Sequence, residues 1–81
     1  MKVPRDVDAN ELITLLKRYG YVIIRQTGSH IRLSKELPAG DEHNITVPNH
    51  RPIKIGTLQS IVTQVCKLNN LNIESFYLEL Q

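Results

Sequence analysis

Apolar residues recur three and four positions apart in two segments of the chain, which is the spacing of one face of a helix. In the first segment these residues are Leu12, Leu15, Leu16 and Tyr19. Asp8 can cap this helix, with Glu11 at the capping-box position, and Gly20 can end it in the left-handed conformation. The second segment runs from about Lys54 to Leu68, and its apolar face consists of Leu58, Ile61, Val62 and Val65. The pattern predicts two amphipathic helices.

Three shorter segments between these helices have the composition of strands. YVIIRQ (residues 21–26) is rich in β-branched and aromatic residues, SHIRLSK (29–35) alternates polar and apolar positions, and HNITV (43–47) ends at a proline. KELPAGDE forms a polar loop between the second and third strands. The tail IESFYLEL (73–80) predicts a short final helix, with a strand as the alternative.

The predicted order is therefore helix, three strands, helix and a short tail element. Consecutive strands joined by short loops form an antiparallel sheet. Because each helix has one apolar face, the economical arrangement places both helices on one side of the three-stranded sheet and leaves the other side open. The chain has 81 residues, the length of one ordinary domain, so we predict a single α+β domain over residues 1–81.

The register of the first two strands decides which side chains face the core. A two-residue turn at Thr27 and Gly28 pairs Arg25 with His30, and side chains then alternate across the sheet. The predicted core face consists of Val22, Ile24, Ile31, Leu33, Ile45 and Val47. The predicted open face consists of Tyr21, Ile23, Arg25, His30, Arg32, Asn44 and Thr46. A slip of one residue would reverse these assignments.

In this register His30 lies on the open face between Arg25 and Arg32. Two guanidinium groups can hold a phosphodiester through forked hydrogen bonds, and an imidazole can transfer a proton near neutral pH. RNA carries its own nucleophile, the 2′-hydroxyl, so such a site needs only proton transfer and charge stabilisation. The alternative is an exposed strand histidine with two solvated arginines, and the pattern alone leaves both interpretations open.

The loop VPNHRP is the second candidate. Two prolines stiffen it, and it presents His50 and Arg51 as a second contact to RNA phosphate, as a second proton donor, or as parts of a plain rigid turn. Lys54 can add a positive charge at the start of the second helix, where Gly56 would let a phosphate approach the backbone. The alternative is that Gly56 packs against the sheet and Lys54 is solvated.

Composition limits the remaining functional classes. The net charge of +2 is too small to identify a nucleic-acid binder by itself. Cys66 is the single cysteine, which excludes an internal disulfide, and we predict that it is a core residue. The three histidines lack the spacing of metal ligands, so we expect no metal and no cofactor. Without a long apolar run or a signal-like leader, we expect a cytoplasmic protein.

The segments RQTGSHIRL and ITVPNHRPIKIGTLQSI resemble the HicA family of bacterial and archaeal mRNA interferase toxins. The resemblance extends from Asn10 to about Val65. It rests on the order of a GSH triplet after a hydrophobic strand, a VP-x-H segment and a K-x-GTL helix start. It implies a fold similar to the double-stranded-RNA-binding domain, metal-independent cleavage of mRNA, arrest of translation and growth, and neutralisation by a HicB antitoxin.

The resemblance also implies residue roles. The catalytic histidine of the GSH motif corresponds to His30, with Gly28 and Ser29 as its supporting turn, and the VP-x-H histidine corresponds to His50. Together with the geometric argument, it gives an expected set of RNA contacts: Arg25, Arg32, His50, Arg51 and Lys54. The segment after Leu68 lies outside the resemblance and either completes the core or helps a dimer form. A homodimer and a hetero-oligomer with the antitoxin both stay open.

Two other functions compete with the ribonuclease. The first is an RNA-binding module without chemistry, because double-stranded-RNA-binding domains recognise phosphate and 2′-hydroxyl groups by shape. The second is a scaffold whose open sheet face binds only protein. The resemblance favours the ribonuclease.

Overall fold

The computed structural model describes residues 2–80. Its helices are α1 (Ala9–Arg18), α2 (Ile55–Asn69) and α3 (Ile73–Leu78), and its strands are β1 (Val22–Thr27), β2 (His30–Glu36) and β3 (Glu42–Pro48). The strands form one antiparallel sheet in the order β1-β2-β3. The predicted α-β-β-β-α order, similar to the double-stranded-RNA-binding domain, is confirmed, and the tail is a helix.

The ends of α1 follow from its capping residues. The backbone N–H of Asp8 donates a 3.1 Å hydrogen bond to the carboxylate of Glu11. At the other end, the N–H of Tyr21 donates to the carbonyl of Leu16 at 3.1 Å, which is the bond of a Schellman motif. This motif needs a left-handed residue, and Gly20 supplies it with φ of 97°.

The core lies between the sheet and the helices. The inward residues of β2 and β3 are buried as predicted: Ile31, Leu33, Ile45 and Val47. They form one cluster with apolar residues of α1 and α2, among them Leu12, Leu16, Leu58 and Val62. The alternate residues of the same strands are exposed on the other side: His30, Arg32, Asn44 and Thr46. The predicted two-layer arrangement with one open sheet face is therefore confirmed.

The segment after Leu68 completes this core. α3 packs against α2 and buries Phe76 and Tyr77, and Leu80 just after the helix is buried as well. The N-cap of α3 is Asn72, whose side chain accepts a 2.9 Å hydrogen bond from the backbone N–H of Ser75. Of the two roles that the sequence left open for this segment, the structure shows the first.

β1 has a different register from the predicted one. The two-residue turn lies one residue later, at Gly28 and Ser29, and Arg25 pairs with Arg32 rather than with His30. The predicted pairing is therefore wrong. Moving a two-residue turn by one position shifts the pairing by two residues, and an even shift keeps each side chain on its face. Arg25 and His30 consequently still share the open face.

A β-bulge at Ile24 reverses the faces of the residues before it. Beyond the bulge, Val22 pairs with Ser34 rather than with Leu33. The predicted core residues Val22 and Ile24 are 58% and 52% exposed, whereas Tyr21, predicted on the open face, is only 1% exposed. These three assignments are wrong, and so is that of Ile23, which was predicted on the open face but pairs with the buried Leu33. The sequence has four consecutive apolar residues here, so it offers no alternation from which the phase could be read.

A buried hydrogen-bond network explains the inward position of Tyr21. Its hydroxyl lies 2.6 Å from Nδ1 of His43 and accepts a 2.9 Å hydrogen bond from Asn69, whose side-chain oxygen accepts from Lys35. Lysine only donates, so it fixes the Asn69 amide, and the Tyr21 hydroxyl is left to donate to His43. Burial raises the pKa of Tyr21. The network joins the sheet to the last turn of α2.

Candidate active site

The predicted catalytic side chains lie together on the open face of the sheet. His30 is the first residue of β2, and Arg32 follows two residues later on the same face. Ile31 between them is buried, which fixes the phase of the strand. Arg25 of β1 is the cross-strand partner of Arg32 and is exposed as well. The structure therefore brings the imidazole and both guanidinium groups to one solvent-accessible surface.

The two arginines form an unusual cross-strand pair. Residues directly opposite in an antiparallel sheet have Cβ atoms about 4.5–5.5 Å apart, and like charges in that position destabilise the pairing. Arg25 and Arg32 occupy such positions. A phosphate bound between them would replace their repulsion by two attractions and could accept forked hydrogen bonds from both. The arrangement is suited to binding an anion.

The turn before His30 orients the start of its strand. Thr27 pairs with His30, which leaves Gly28 and Ser29 as a two-residue loop. Gly28 has φ of 56°, as expected for glycine in the first loop position of a type II′ turn. A Cβ at Gly28 would have no neighbour within 4 Å, so the backbone conformation and not crowding requires glycine here.

The second candidate loop lies beside this turn. Pro48 is the cross-strand partner of His30 on β3, and the N–H of Asn49 donates a 2.6 Å hydrogen bond to the carbonyl of Ser29. His50 follows immediately and is exposed, so both histidines lie at the same end of the sheet. The sequence interpretation missed Asn49, because its contribution is a backbone hydrogen bond and leaves no signal in the residue type.

Two further predicted contacts continue from this loop. Arg51 is exposed in the connection between β3 and α2, and Lys54 is the exposed N-cap residue of α2. Gly56 is exposed, and a Cβ added to it would meet nothing within 4 Å. The alternative that Gly56 packs against the sheet is therefore wrong. The positive charges of Arg51 and Lys54 extend from the His30 end of the sheet to the first turn of α2.

Other reactive groups lie away from this surface. Cys66 is buried as predicted, and burial raises the pKa of its thiol, which leaves it a packing residue. His43 is buried against Tyr21 and belongs to the core network. Within residues 2–80, no three His, Cys, Asp or Glu side chains are grouped as metal ligands. In the same part of the chain, no helix has the length and apolarity to span a membrane.

Comparison with family models adds independent information on the chain. The model described as the HicA toxin of bacterial toxin-antitoxin systems matches residues 9–67, more than half of the chain. The matched segment contains the whole sheet and every candidate site residue from Arg25 to Lys54. Comparison with curated proteins and with solved structures gave no match.

Proposed function

The chain belongs to the HicA toxin family, and we propose that it is a metal-independent endoribonuclease that cleaves mRNA with His30 as its catalytic residue. The family identifies a toxin of a toxin–antitoxin system and implies an antitoxin partner. The observation that carries the proposal is the joint exposure of His30, Arg25 and Arg32 on the open face of the sheet.

In the proposed reaction His30 transfers a proton during attack by the ribose 2′-hydroxyl. When the imidazole acts as base, it takes the 2′-hydroxyl proton, the 2′-oxygen attacks phosphorus, and the bond from phosphorus to the 5′-oxygen breaks. The departing 5′-oxygen takes up a proton, and the upstream fragment ends in a 2′,3′-cyclic phosphate. A positioned acid or base contributes roughly 10²–10⁴-fold to such a reaction.

The arginines supply the electrostatic part of the mechanism. Arg25 and Arg32 bind the scissile phosphate and stabilise the extra negative charge that develops on its oxygens. The Gly28-Ser29 turn orients His30 toward this phosphate. His50 is the candidate for the second proton transfer, because its loop is hydrogen-bonded to that turn.

The surface around His30 also accounts for further RNA contacts and for binding of the antitoxin. Arg51 and Lys54 contact phosphates further along the RNA. An HicB-type antitoxin neutralises the toxin by covering the open sheet face, so RNA and antitoxin compete for His30. Both mRNA and this antitoxin are cytoplasmic, which is where we propose that the protein acts.

Incubation of the purified protein with mRNA in EDTA tests the proposed function. We expect shortened RNA whose upstream fragments end in a cyclic phosphate, and no cleavage of the same sequence made with 2′-deoxyribose. RNA that is retained by the protein but stays intact would instead support a binding module without chemistry. Efficient cleavage of the deoxy substrate would contradict attack by the 2′-hydroxyl.

A further inference from the structure

A groove of about 410 Å³ lies between β3 and α2, beside the candidate active site. All eight residues that line it are uncharged. Ile45 and Ile61 form its apolar floor and are nearly buried, whereas Asn44, Thr46 and Gln64 are exposed around it. Five of the eight lining residues carry hydrogen-bonding side chains above this floor, a composition suited to a small polar organic group.

Gly56 keeps one wall of this groove open. It lies in the first turn of α2, and a Cβ added there would meet nothing within 4 Å. Neither crowding nor a left-handed backbone therefore requires glycine at this position, although glycine is a weaker helix former than alanine. Glycine therefore leaves this part of the groove lining without a side chain, and a longer residue would add bulk to the lining.

The groove lies at the β3 edge of the sheet, close to the β3 positions that pair with Arg32 and His30. Thr46 of the groove is the cross-strand partner of Arg32, and Pro48, two residues further along β3, is the partner of His30. With strands about 4.8 Å apart and a rise of about 3.3 Å per residue, the backbones of Thr46 and His30 lie about 8 Å apart. A nucleotide adjacent to one cleaved at His30 can therefore reach the groove.

We propose that this groove binds one unpaired RNA base next to the cleavage position and thereby sets the base preference of the enzyme. The inference rests on the proposed ribonuclease function. Sequence-specific proteins read RNA through unpaired bases whose edges are free to form hydrogen bonds. The carboxamides of Asn44 and Gln64 each present a donor and an acceptor side by side, which matches the edge of a base.

The composition of the lining favours a base over a phosphate or a peptide as the group that binds in the groove. A phosphate would call for arginine or lysine, and the lining has neither. A peptide strand could pair with β3, which is an edge strand of the sheet, but such binding relies on pockets for alternate side chains. Polar groups along the groove at Asn44, Thr46 and Gln64 fit the edge of a base better than an apolar peptide side chain.

Two substitutions test the groove without touching the catalytic residues. Gly56→Leu fills the groove, and Gln64→Ala removes one carboxamide. The matched control is Gln59→Ala, which removes the same group from an exposed position of α2 outside the groove. Wild-type protein and the three variants are incubated with an RNA pool that contains a randomised segment, and the cleaved ends are sequenced.

We expect wild type and Gln59→Ala to share a base preference at one fixed position beside the cut. Gly56→Leu and Gln64→Ala should reduce that preference by about tenfold, the scale of losing a good amide–base contact. Thermal unfolding confirms that each variant is folded. An unchanged preference in both groove variants would overturn the inference. Loss of inhibition by the antitoxin with unchanged RNA preference would show a protein-docking groove and overturn it as well.

A binding measurement separates this inference from the proposed function. The same randomised pool, made non-cleavable with 2′-deoxyribose, is selected for binding to wild type and to the groove variants. A base preference that depends on Gln64 and Gly56 supports the groove even if wild type cleaves no RNA. A wild type that cleaves RNA but shows no groove-dependent preference in either assay overturns the inference and leaves the ribonuclease proposal standing.

Discussion

At the scale of single residues, the proximity of Arg25 and Arg32 has opposite effects on the stability of the fold and on phosphate binding. Their side chains are cross-strand partners on an exposed face, so the free protein holds two positive charges close together. Solvent screening keeps the cost of this repulsion small. The same proximity concentrates positive charge where a phosphate would bind. We therefore expect the pair to contribute to RNA affinity and not to stability.

Substitution Arg25→Ala tests this division. We expect weaker binding to a non-cleavable RNA and a salt dependence of log K that flattens by about 0.7, which corresponds to one lost phosphate contact on a single strand. The free energy of unfolding should stay within about 0.5 kcal/mol of wild type. The control is Arg18→Ala, an exposed arginine at the end of α1. An equal effect of both substitutions on the slope would remove Arg25 from the contacts.

Tyr21 is the opposite case, because its hydroxyl contributes to the stability of the fold and not to RNA binding. It joins His43 to Asn69 in a buried network. We expect Tyr21→Phe to lower the free energy of unfolding by about 1–3 kcal/mol, since buried His43 loses its partner and half-buried Asn69 loses one of its hydrogen bonds. Urea unfolding measures this change. Tyr19→Phe is the matched control, because its hydroxyl bonds an exposed carboxylate of Glu79. A cost for Tyr21→Phe no greater than the control would contradict the network's role.

At the scale of elements, the predictability of each strand follows from its pattern. β2 and β3 alternate polar and apolar residues, so the inward positions of Ile31 and Val47 could be predicted. β1 begins within a run of apolar residues that do not alternate, and a bulge at Ile24 changes its phase. A bulge depends on packing against the rest of the fold, and the local sequence gives no sign of it. The buried position of Tyr21 could therefore not be predicted from the sequence.

The candidate site was predictable despite the wrong turn position. The phase of His30 comes from its own strand, in which Ile31 and Leu33 are buried. Arg25 stayed on the same face because the turn moved by one residue and the register therefore by two. The groove between β3 and α2 was not predictable, because it depends on how a helix and a strand far apart in sequence pack together.

α3 gives an element-scale prediction about stability. Phe76 is buried in the core, whereas Leu78 of the same helix is 62% exposed. We expect Phe76→Ala to lower the free energy of unfolding by about 3–5 kcal/mol, the usual cost of emptying a buried aromatic site. Leu78→Ala should change it by about 0.5 kcal/mol or less. Similar costs for the two variants in denaturant unfolding would show that α3 does not complete the core.

At the scale of the whole molecule, the charged residues of the sheet and its hairpin differ in sign between its two ends, apart from Lys35 beside Glu36. The end near the Gly28-Ser29 turn carries Arg25, Arg32 and Arg51. The hairpin at the other end carries Glu36, Asp41 and Glu42, of which the two glutamates are cross-strand partners. The net charge of +2 conceals this separation. Under the proposed function, the basic end attracts the RNA backbone and the acidic end repels it, which would direct the RNA to His30.

The central claim is that an exposed histidine on the open sheet face carries the chemistry and has no part in holding the fold together. The most direct measurement compares wild type with His30→Ala in mRNA cleavage and in thermal unfolding on the same preparations. We predict an unfolding free energy within about 0.5 kcal/mol of wild type, with a cleavage rate at least about 10²-fold lower. A folded His30→Ala protein that cleaves mRNA at the wild-type rate would contradict the claim.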